Sequence, residues 1–381
     1  MRLEVTFLGA SCADSQIVIH GKSALAGLLY WADERGPLPG WAPLAAVPLS
    51  PAGRTVYRFG GHRAVPPRAT HIFLRCVSQD LLSTEESLAE IPVQNRRAEA
   101  LDEPIARFSV LSDLHTAART GRIHRALRMA ESDLLITGDL TNDGDPEQFA
   151  RLLCCLEDAA PERAVFAVTG NHDQPVNAAA DAAGPAFLLK LLQRAQDTGY
   201  RIHAETAGAY SAIRGGVDII GLQCAAPGRV FRFPQAAQLQ WLAAHLEEQA
   251  DARWHILLCH APLLQHNPHR NSGPPYLAHD AELQRIIQRH KNILFLSGHT
   301  HCSPNGSLGN VEIQPDARTV YLDAGSVVAP ELCGEALAPA VWKDGVVFSL
   351  ALYPNEIEIR SRAIHSGLFY PRGYYRASWD A

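Results

Sequence analysis

Apolar and polar positions follow two different rules along this chain. Up to about residue 100 the apolar residues fall in short runs, at residues 3–8, 16–20, 55–59 and 70–77. Gly and Pro clusters separate them, as in Arg35-Gly36-Pro37-Leu38-Pro39-Gly40. Short β-like runs between turn residues, without long helical periodicity, predict a small antiparallel β-domain of sandwich type. No chemical motif falls within it. The polar stretch 94–103, closed by Pro104, sets the expected boundary: residues 1–104 form this domain and residues 105–381 a second one.

From Ile105 onward, apolar strands alternate with helical stretches, the pattern of an α/β fold. Strands are predicted at 106–111, 133–137, 164–169, 254–259 and 292–297. A helix is predicted at 146–158, because Asp145 is a good N-cap and Pro146 suits the first helical position. Runs at 346–353 and 356–364 read as a closing hairpin around Pro354-Asn355.

Each of the five α/β strands ends just before a polar motif. In order these are Asp113-Leu114-His115, Gly138-Asp139, Gly170-Asn171-His172-Asp173, His260 and Gly298-His299-Thr300-His301. Alone, an Asp-x-His is an ordinary loop pair and Gly-Asn-His-Asp is turn chemistry. Together, all at the carboxyl ends of strands, they occupy the place where α/β folds build sites. Carboxylates mixed with imidazoles and one amide oxygen form a donor set suited to Mn, Fe or Zn.

This order of motifs resembles the calcineurin-like metallophosphoesterase superfamily over roughly residues 105 to 325. Around residues 138–147 the resemblance is nearest to bacterial phosphodiesterases of the cyclic-nucleotide type (class III). The resemblance implies a four-layer α/β/β/α sandwich and two divalent metal ions. It implies that Asp113, His115 and His301 hold the first ion, that Asp139 bridges, and that Asn171, His260 and His299 complete the second. Two cations so placed clamp a phosphate, neutralise developing charge and make a hydroxide near neutral pH. His172 is implied to be catalytic rather than a ligand, approaching the leaving group as a proton donor. Many relatives pair this His with an acidic side chain where this chain has Asn142; Asp143 or Asp173 is the candidate to compensate. Asn142 and Arg270, the latter in a polar Gly/Pro-rich stretch after His260, are candidate substrate contacts.

The expected reaction is phosphodiester hydrolysis. Phosphomonoester or nucleotide-pyrophosphate hydrolysis on the same site is the alternative, and a non-catalytic protein-binding scaffold is the alternative of another class. The expected partner is a small phosphate ester or nucleotide. The net charge of −6 argues against a nucleic-acid binder with a broadly basic surface. Apolar residues make up 47%, enough for a large core, yet no run reaches the roughly 20 residues that span a bilayer. Eight cysteines are scattered without a Cys-x-x-Cys pair. They read as free thiols of a reducing compartment, hence the cytoplasm. Cys154-Cys155 reads as core and Cys302 as packing behind the site.

Overall fold

The computed structural model describes residues 2–6, 15–21, 26–59, 64–77, 84–92, 103–174, 183–204, 208–223, 236–264, 266 and 280–379. Its first part is all β. The strands are β1 (Arg2–Thr6), β2 (Gln16–His20), β3 (Ala26–Asp33), β4 (Gly36–Pro37), β5 (Ala45–Pro48), β6 (Arg54–Arg58), β7 (His71–Val77) and β8 (Thr84–Glu90). They form two antiparallel sheets, β1-β2-β6 and β4-β3-β7-β8, with β5 also paired to β3. Ile17, Ile19, Leu29, Trp31, Phe59, Ile72 and Leu74 make a core of their own. Alternation along the strands explains it: one face of each sheet is apolar and must be covered.

The second part holds β9 (Ala106–Leu111), α1 (Gly121–Met129), β10 (Asp133–Ile136), α2 (Pro146–Ala159), β11 (Val165–Ala167), α3 (Ala183–Asp197), β12 (Arg201–Ala204), β13 (Tyr210–Arg214) and β14 (Val217–Leu222). It continues with α4 (Ala237–Glu248), β15 (Trp254–Cys259), α5 (Asp280–Ile287), β16 (Ile293–Ser297), β17 (Val311–Gln314), β18 (Thr319–Asp323), β19 (Val346–Tyr353), β20 (Glu356–Ala363) and β21 (Phe369–Ser378). One sheet has the order β11-β10-β9-β19-β20-β21, the other β12-β13-β14-β15-β16-β18-β17. Their inner faces share a single core, including Phe108, Val110, Phe166, Tyr210, Ile256, Leu294 and Phe348. Helices α1, α2 and α3 cover the first sheet outside, and α4 and α5 the second. The expected α/β/β/α order is therefore present.

Strands β14, β15, β16 and β18 run parallel and are buried on both faces. That is why 254–259 and 293–297 read as nearly continuous apolar runs, interrupted only by His255 and closed by Ser297, rather than as alternation. The N-cap of α2 is as expected: Asp145 Oδ1 accepts from the Glu147 amide at 2.7 Å. The closing hairpin is a three-strand meander, because β21 adds to β20.

The two parts touch. Trp41 stacks on Phe369 with ring centroids 4.8 Å apart. The Ala42 amide donates to the Phe369 carbonyl at 2.9 Å, and the Ala46 amide to the Leu337 carbonyl at 3.1 Å. Most of the stretch expected to hold the boundary lies outside the described residues.

Two readings of the cysteines need correction. Cys302 and Cys333 form a disulfide, with Cα atoms 5.7 Å apart. They are 31 positions apart in sequence and meet because the segments around them pair through bridges Cys302–Glu331 and Gly306–Ala336. Cys302 thus packs behind the site as half of a crosslink. Free-thiol usage no longer argues for a reducing compartment. In the Cys154-Cys155 pair only Cys155 is buried and Cys154 is exposed, since adjacent helical positions face about 100° apart.

Candidate metal centre

The site lies where the carboxyl ends of the two sheets meet. Ladder hydrogen bonds continue past the strands and place the loops. The amides of Asp113, His115 and Thr116 donate to the carbonyls of Gly138, Asp139 and Leu140 at 2.9–3.1 Å. In the other sheet the Gly298 amide donates to the His260 carbonyl at 3.0 Å. Between the sheets, His260 Nδ1 lies 2.7 Å from the Thr137 carbonyl.

The turns that follow are sharp. Asp113, His115, Asp139, His299 and His301 all have positive φ, between 42° and 69°. Asp and His tolerate this region better than most side chains, but it remains uncommon. Each such residue costs on the order of 1–3 kcal/mol, and such strain concentrates at functional sites. Two glycines are explained by close approach. A Cβ on Gly170 would stand 2.5 Å from the Asp139 amide nitrogen and 2.8 Å from His260 Cδ2. One on Gly298 would stand 2.8 Å from Asp113 Oδ2.

Asp113, His115, Asp139 and His301 each offer a ligand atom, and these atoms all lie within 4.8 Å of one another. Asp113 and Asp139 are almost wholly buried. Asp113 Oδ2 accepts from Ser112 Oγ at 2.6 Å and from the His299 amide at 3.1 Å. Asp113 Oδ1 is buried without a well-aimed hydrogen-bond donor; His301 Nε2 lies 3.0 Å from it. His301 Nδ1 is 2.9 Å from the Ala329 carbonyl, so in the neutral ring that nitrogen carries the proton and Nε2 has the lone pair. His115 Nε2 faces His301 Nε2 at 3.1 Å.

The second group repeats the arrangement. With Nδ1 donating to Thr137, the neutral His260 ring turns its Nε2 lone pair toward Asn171 Oδ1 at 3.2 Å and Asp139 Oδ2 at 3.3 Å, a position that takes a proton when no metal is bound. Its ring is 5.5 Å from that of His299, centroid to centroid. Acceptors that face acceptors in a buried place need a cation or a proton between them. A divalent metal fits this donor set, and imidazoles whose far nitrogen is tied to a carbonyl are the usual ligand form.

Titration reflects the crowding. Burial would lower the His260 imidazole, but the Asp139 carboxylate outweighs it and pushes it up to about 10. Burial, helped by the neighbouring His260, pushes His299 down to about 4. Burial likewise lowers His115. Burial opposes the charge of Asp139 and Asp113; His260 overcomes it for the first and His301 for the second, so both stay below the ordinary carboxylate range.

His172 lies beside this group with its ring 4.6 Å from that of His115, edge to face. Its amide donates to Asp139 Oδ1 at 2.8 Å. Its Nδ1 is 2.8 Å from the main-chain carbonyl of Asn142. The expected acidic compensation is therefore not how the ring is held: a carbonyl takes that place. Asp143 Oδ2 accepts from Asn142 Nδ2 and Gln148 Nε2, both at 3.0 Å.

Asp173 has a different task. Its carboxylate accepts from the amides of Leu140, Thr141 and Gly170 at 2.7–3.0 Å and from Thr141 Oγ1 at 2.8 Å. It clamps the loop of Asp139 to the loop of Asn171. Burial and the Asp139 charge push it up to about 6 against those donors. Ser112, Thr137, Gln148 and Ala329 are the supporting residues that the motifs do not single out. Three of them act through or upon backbone, which leaves no sequence signal. Arg270 lies outside the described residues.

A sandwich of two sheets between helices, with acid and histidine loops gathered at the strand ends, defines a metallophosphoesterase. Residues 106–303 match the family model for calcineurin-like phosphoesterases, and the chain belongs to that family. A probable cyclic nucleotide phosphodiesterase of Synechococcus sp. is 27% identical over 193 residues, covering 49% of this chain and 64% of that relative. The chain thus matches less than two thirds of that relative's length. Among solved structures, a dimetal phosphatase from Danio rerio has a TM-score of 0.49 at 15% identity, covering 73% of this chain and 100% of its own. A 5'-nucleotidase precursor from Thermus thermophilus has a TM-score of 0.32 at 15% identity, covering 72% and 54% respectively. No helix among the described residues is long and apolar enough to cross a membrane.

Proposed function

We propose that this protein hydrolyses phosphodiesters of small molecules or nucleotides with two divalent cations, drawn from Mn, Fe and Zn. Asp113, His115 and His301 would hold one, Asn171, His260 and His299 the other, and Asp139 both. The observation that carries this reading is the convergence of lone pairs. Ligand atoms of Asp113, His115, Asp139 and His301 lie within 4.8 Å of one another, Asp113 Oδ1 is buried without a hydrogen-bond partner, and His260 Nε2 stands 3.2 Å from Asn171 Oδ1 and 3.3 Å from Asp139 Oδ2. Cations there supply charge neutralisation for the phosphate and a nucleophile from water near neutral pH.

The chain's own residues do the rest. Asn171 contributes a neutral oxygen, which keeps the cage less negative and so more attractive to an anionic ester. His172, with Nδ1 held by the Asn142 carbonyl, keeps Nε2 for proton donation to the departing alkoxide. Its ring orientation is fixed by backbone, so this function does not need an acid at position 142. Residues 1–104 form a separate domain that supplies no group to the chemistry. Diesters come first because the Synechococcus relative bears that description.

The test is a parallel screen of an aryl diester, an aryl monoester, cyclic nucleotides and a nucleotide pyrophosphate, with Mn²⁺ added and with chelator. Chelator-sensitive turnover highest on diesters is the expected result. Preference for the monoester or pyrophosphate would replace the diester assignment. Two bound ions with no turnover on any of them would favour a binding scaffold.

A further inference from the structure

We infer that the Cys302–Cys333 disulfide is a latch that positions His301, so that its redox state sets how firmly the site grips one of its ions. The inference rests on the two-cation reading above.

Behind His301 runs a strap, residues 329–338, with its own set of bonds. At its near end the Ala329 carbonyl accepts from His301 Nδ1 at 2.9 Å, which fixes the ring and its tautomer. The Glu331 amide donates to the His301 carbonyl and the Ser303 amide to the Glu331 carbonyl, both at 2.7 Å. Cys333 is then joined to Cys302, the residue directly after His301. At the far end Asn305 makes two hydrogen bonds of 2.8 Å with the backbone of Ala338. Leu337 bonds to Asn305 and to Ala46 of strand β5. The crosslink therefore sits midway along the strap, between the carbonyl that aims His301 and the anchor on the β-domain.

A strained residue needs such a support. His301 has φ 56° and would relax if its backbone partner at Glu331 were released. The opposite flank is already fixed: Asn310 Nδ2 donates to the Cys302 carbonyl at 2.8 Å. Release of the crosslink would thus free the strap rather than the loop it grips, and the Ala329 carbonyl would lose its fixed place. Outer partners of this kind typically change metal affinity by about 10–100-fold.

Access decides the chemistry of opening. Cys302 is 1% exposed, whereas Cys333 is half-buried. A thiolate of an external dithiol attacks Cys333 Sγ, forms a mixed disulfide and releases Cys302 as thiolate. The second thiol of the reductant then closes the reductant's own disulfide and releases Cys333. Two electrons pass from the dithiol to the pair, and its two protons end on Cys302 and Cys333.

Full-length protein, oxidised or treated with a trialkylphosphine that leaves no chelating thiol, is titrated with Mn²⁺ by calorimetry. Hydrogen exchange is read in parallel without metal. On reduction one of two bound ions weakens about 10–100-fold, and the amides of Ser303 and Glu331 exchange faster. The double variant Cys302→Ser with Cys333→Ser matches the reduced protein and no longer responds to phosphine. Equal Mn²⁺ affinity in both states overturns the latch and leaves the metal site standing. Two free thiols at these positions in protein purified in air also overturn it. Failure of the oxidised and the reduced form alike to bind Mn²⁺ brings down the two-cation reading, and the latch with it.

Discussion

Two clusters of histidines around carboxylates occur in the same fold, and they face opposite ways electronically. At the carboxyl ends of the strands, His115, His260, His299 and His301 surround Asp113 and Asp139. Near the start of β14 and β15, His245 and His255 flank Asp218. In the second cluster, Asp218 Oδ2 accepts from His245 Nε2 at 3.1 Å and from His255 Nδ1 at 2.9 Å. Donors meet an acceptor, and the cluster is complete by itself. Its three residues sit in a helix and two strands, with no positive φ. In the first cluster, His115 Nε2 meets His301 Nε2, and His260 Nε2 meets two oxygens. Residue type is alike and both sets of carboxylates are buried; the direction of lone pairs and the strained backbone are not. A ligand set is recognised by acceptors converging on a common point, and a structural cluster by having used its protons.

The comparison breaks most decisively at Asp139. Asp139→Ala should weaken metal binding beyond the roughly 10²-fold that outer partners reach, and remove nearly all turnover. Two tightly held ions in that variant, counted by elemental analysis, would defeat the bridging role.

His172→Ala should keep both ions and slow turnover by about 10²–10⁴-fold on esters with poor leaving groups. On a nitrophenyl diester, whose leaving group departs without a proton, the loss should be small. Equal losses on both kinds of ester would assign His172 to positioning rather than proton donation. Loss of an ion would remove it from catalysis.

At Asp218 the expectation reverses. Asp218→Asn should leave metal content and turnover unchanged but lower stability by roughly 2 kcal/mol, the scale of charge-assisted hydrogen bonds. Burial would raise this carboxyl, but the bonds from His245 and His255 bring it below the ordinary value. A depressed carboxylate stabilises the fold fully above its unfolded pKa, near 4, and loses that contribution as pH falls through the lower folded value. The gap between wild type and variant in urea melts should therefore be widest at neutral pH and close in acid. A gap that widened below pH 4 would contradict the assignment.

The smallest effect is expected at Asn142. Its carbonyl, not its side chain, holds His172, so Asn142→Ala should change turnover by less than about tenfold, well under the general-acid contribution. Asn142→Asp would set a carboxylate against Asp143, whose Oδ2 now receives Asn142 Nδ2. A large rise in activity with Asp there would show that the carbonyl is a poor substitute for an acidic partner.

Much of this was legible in the chain itself. Strands inside the sandwich are mostly buried and so mostly apolar, and β9, β15 and β19 were readable to the residue. Asp and His directly after such strands can only lie in the turns at the sheet edge, which located all five motifs. Asp145 and Pro146 announced α2 because capping depends on local chain geometry alone. Tertiary structure decided what local order cannot encode. Which nitrogen of His260 or His301 carries the proton depends on carbonyls of Thr137 and Ala329, distant in sequence and without side-chain identity. The pairing of Cys302 with Cys333 depends on two loops meeting behind the site. The separation of two similar His–Asp clusters into one open to a cation and one closed depends on where lone pairs point, and that direction exists only after the sheets have packed.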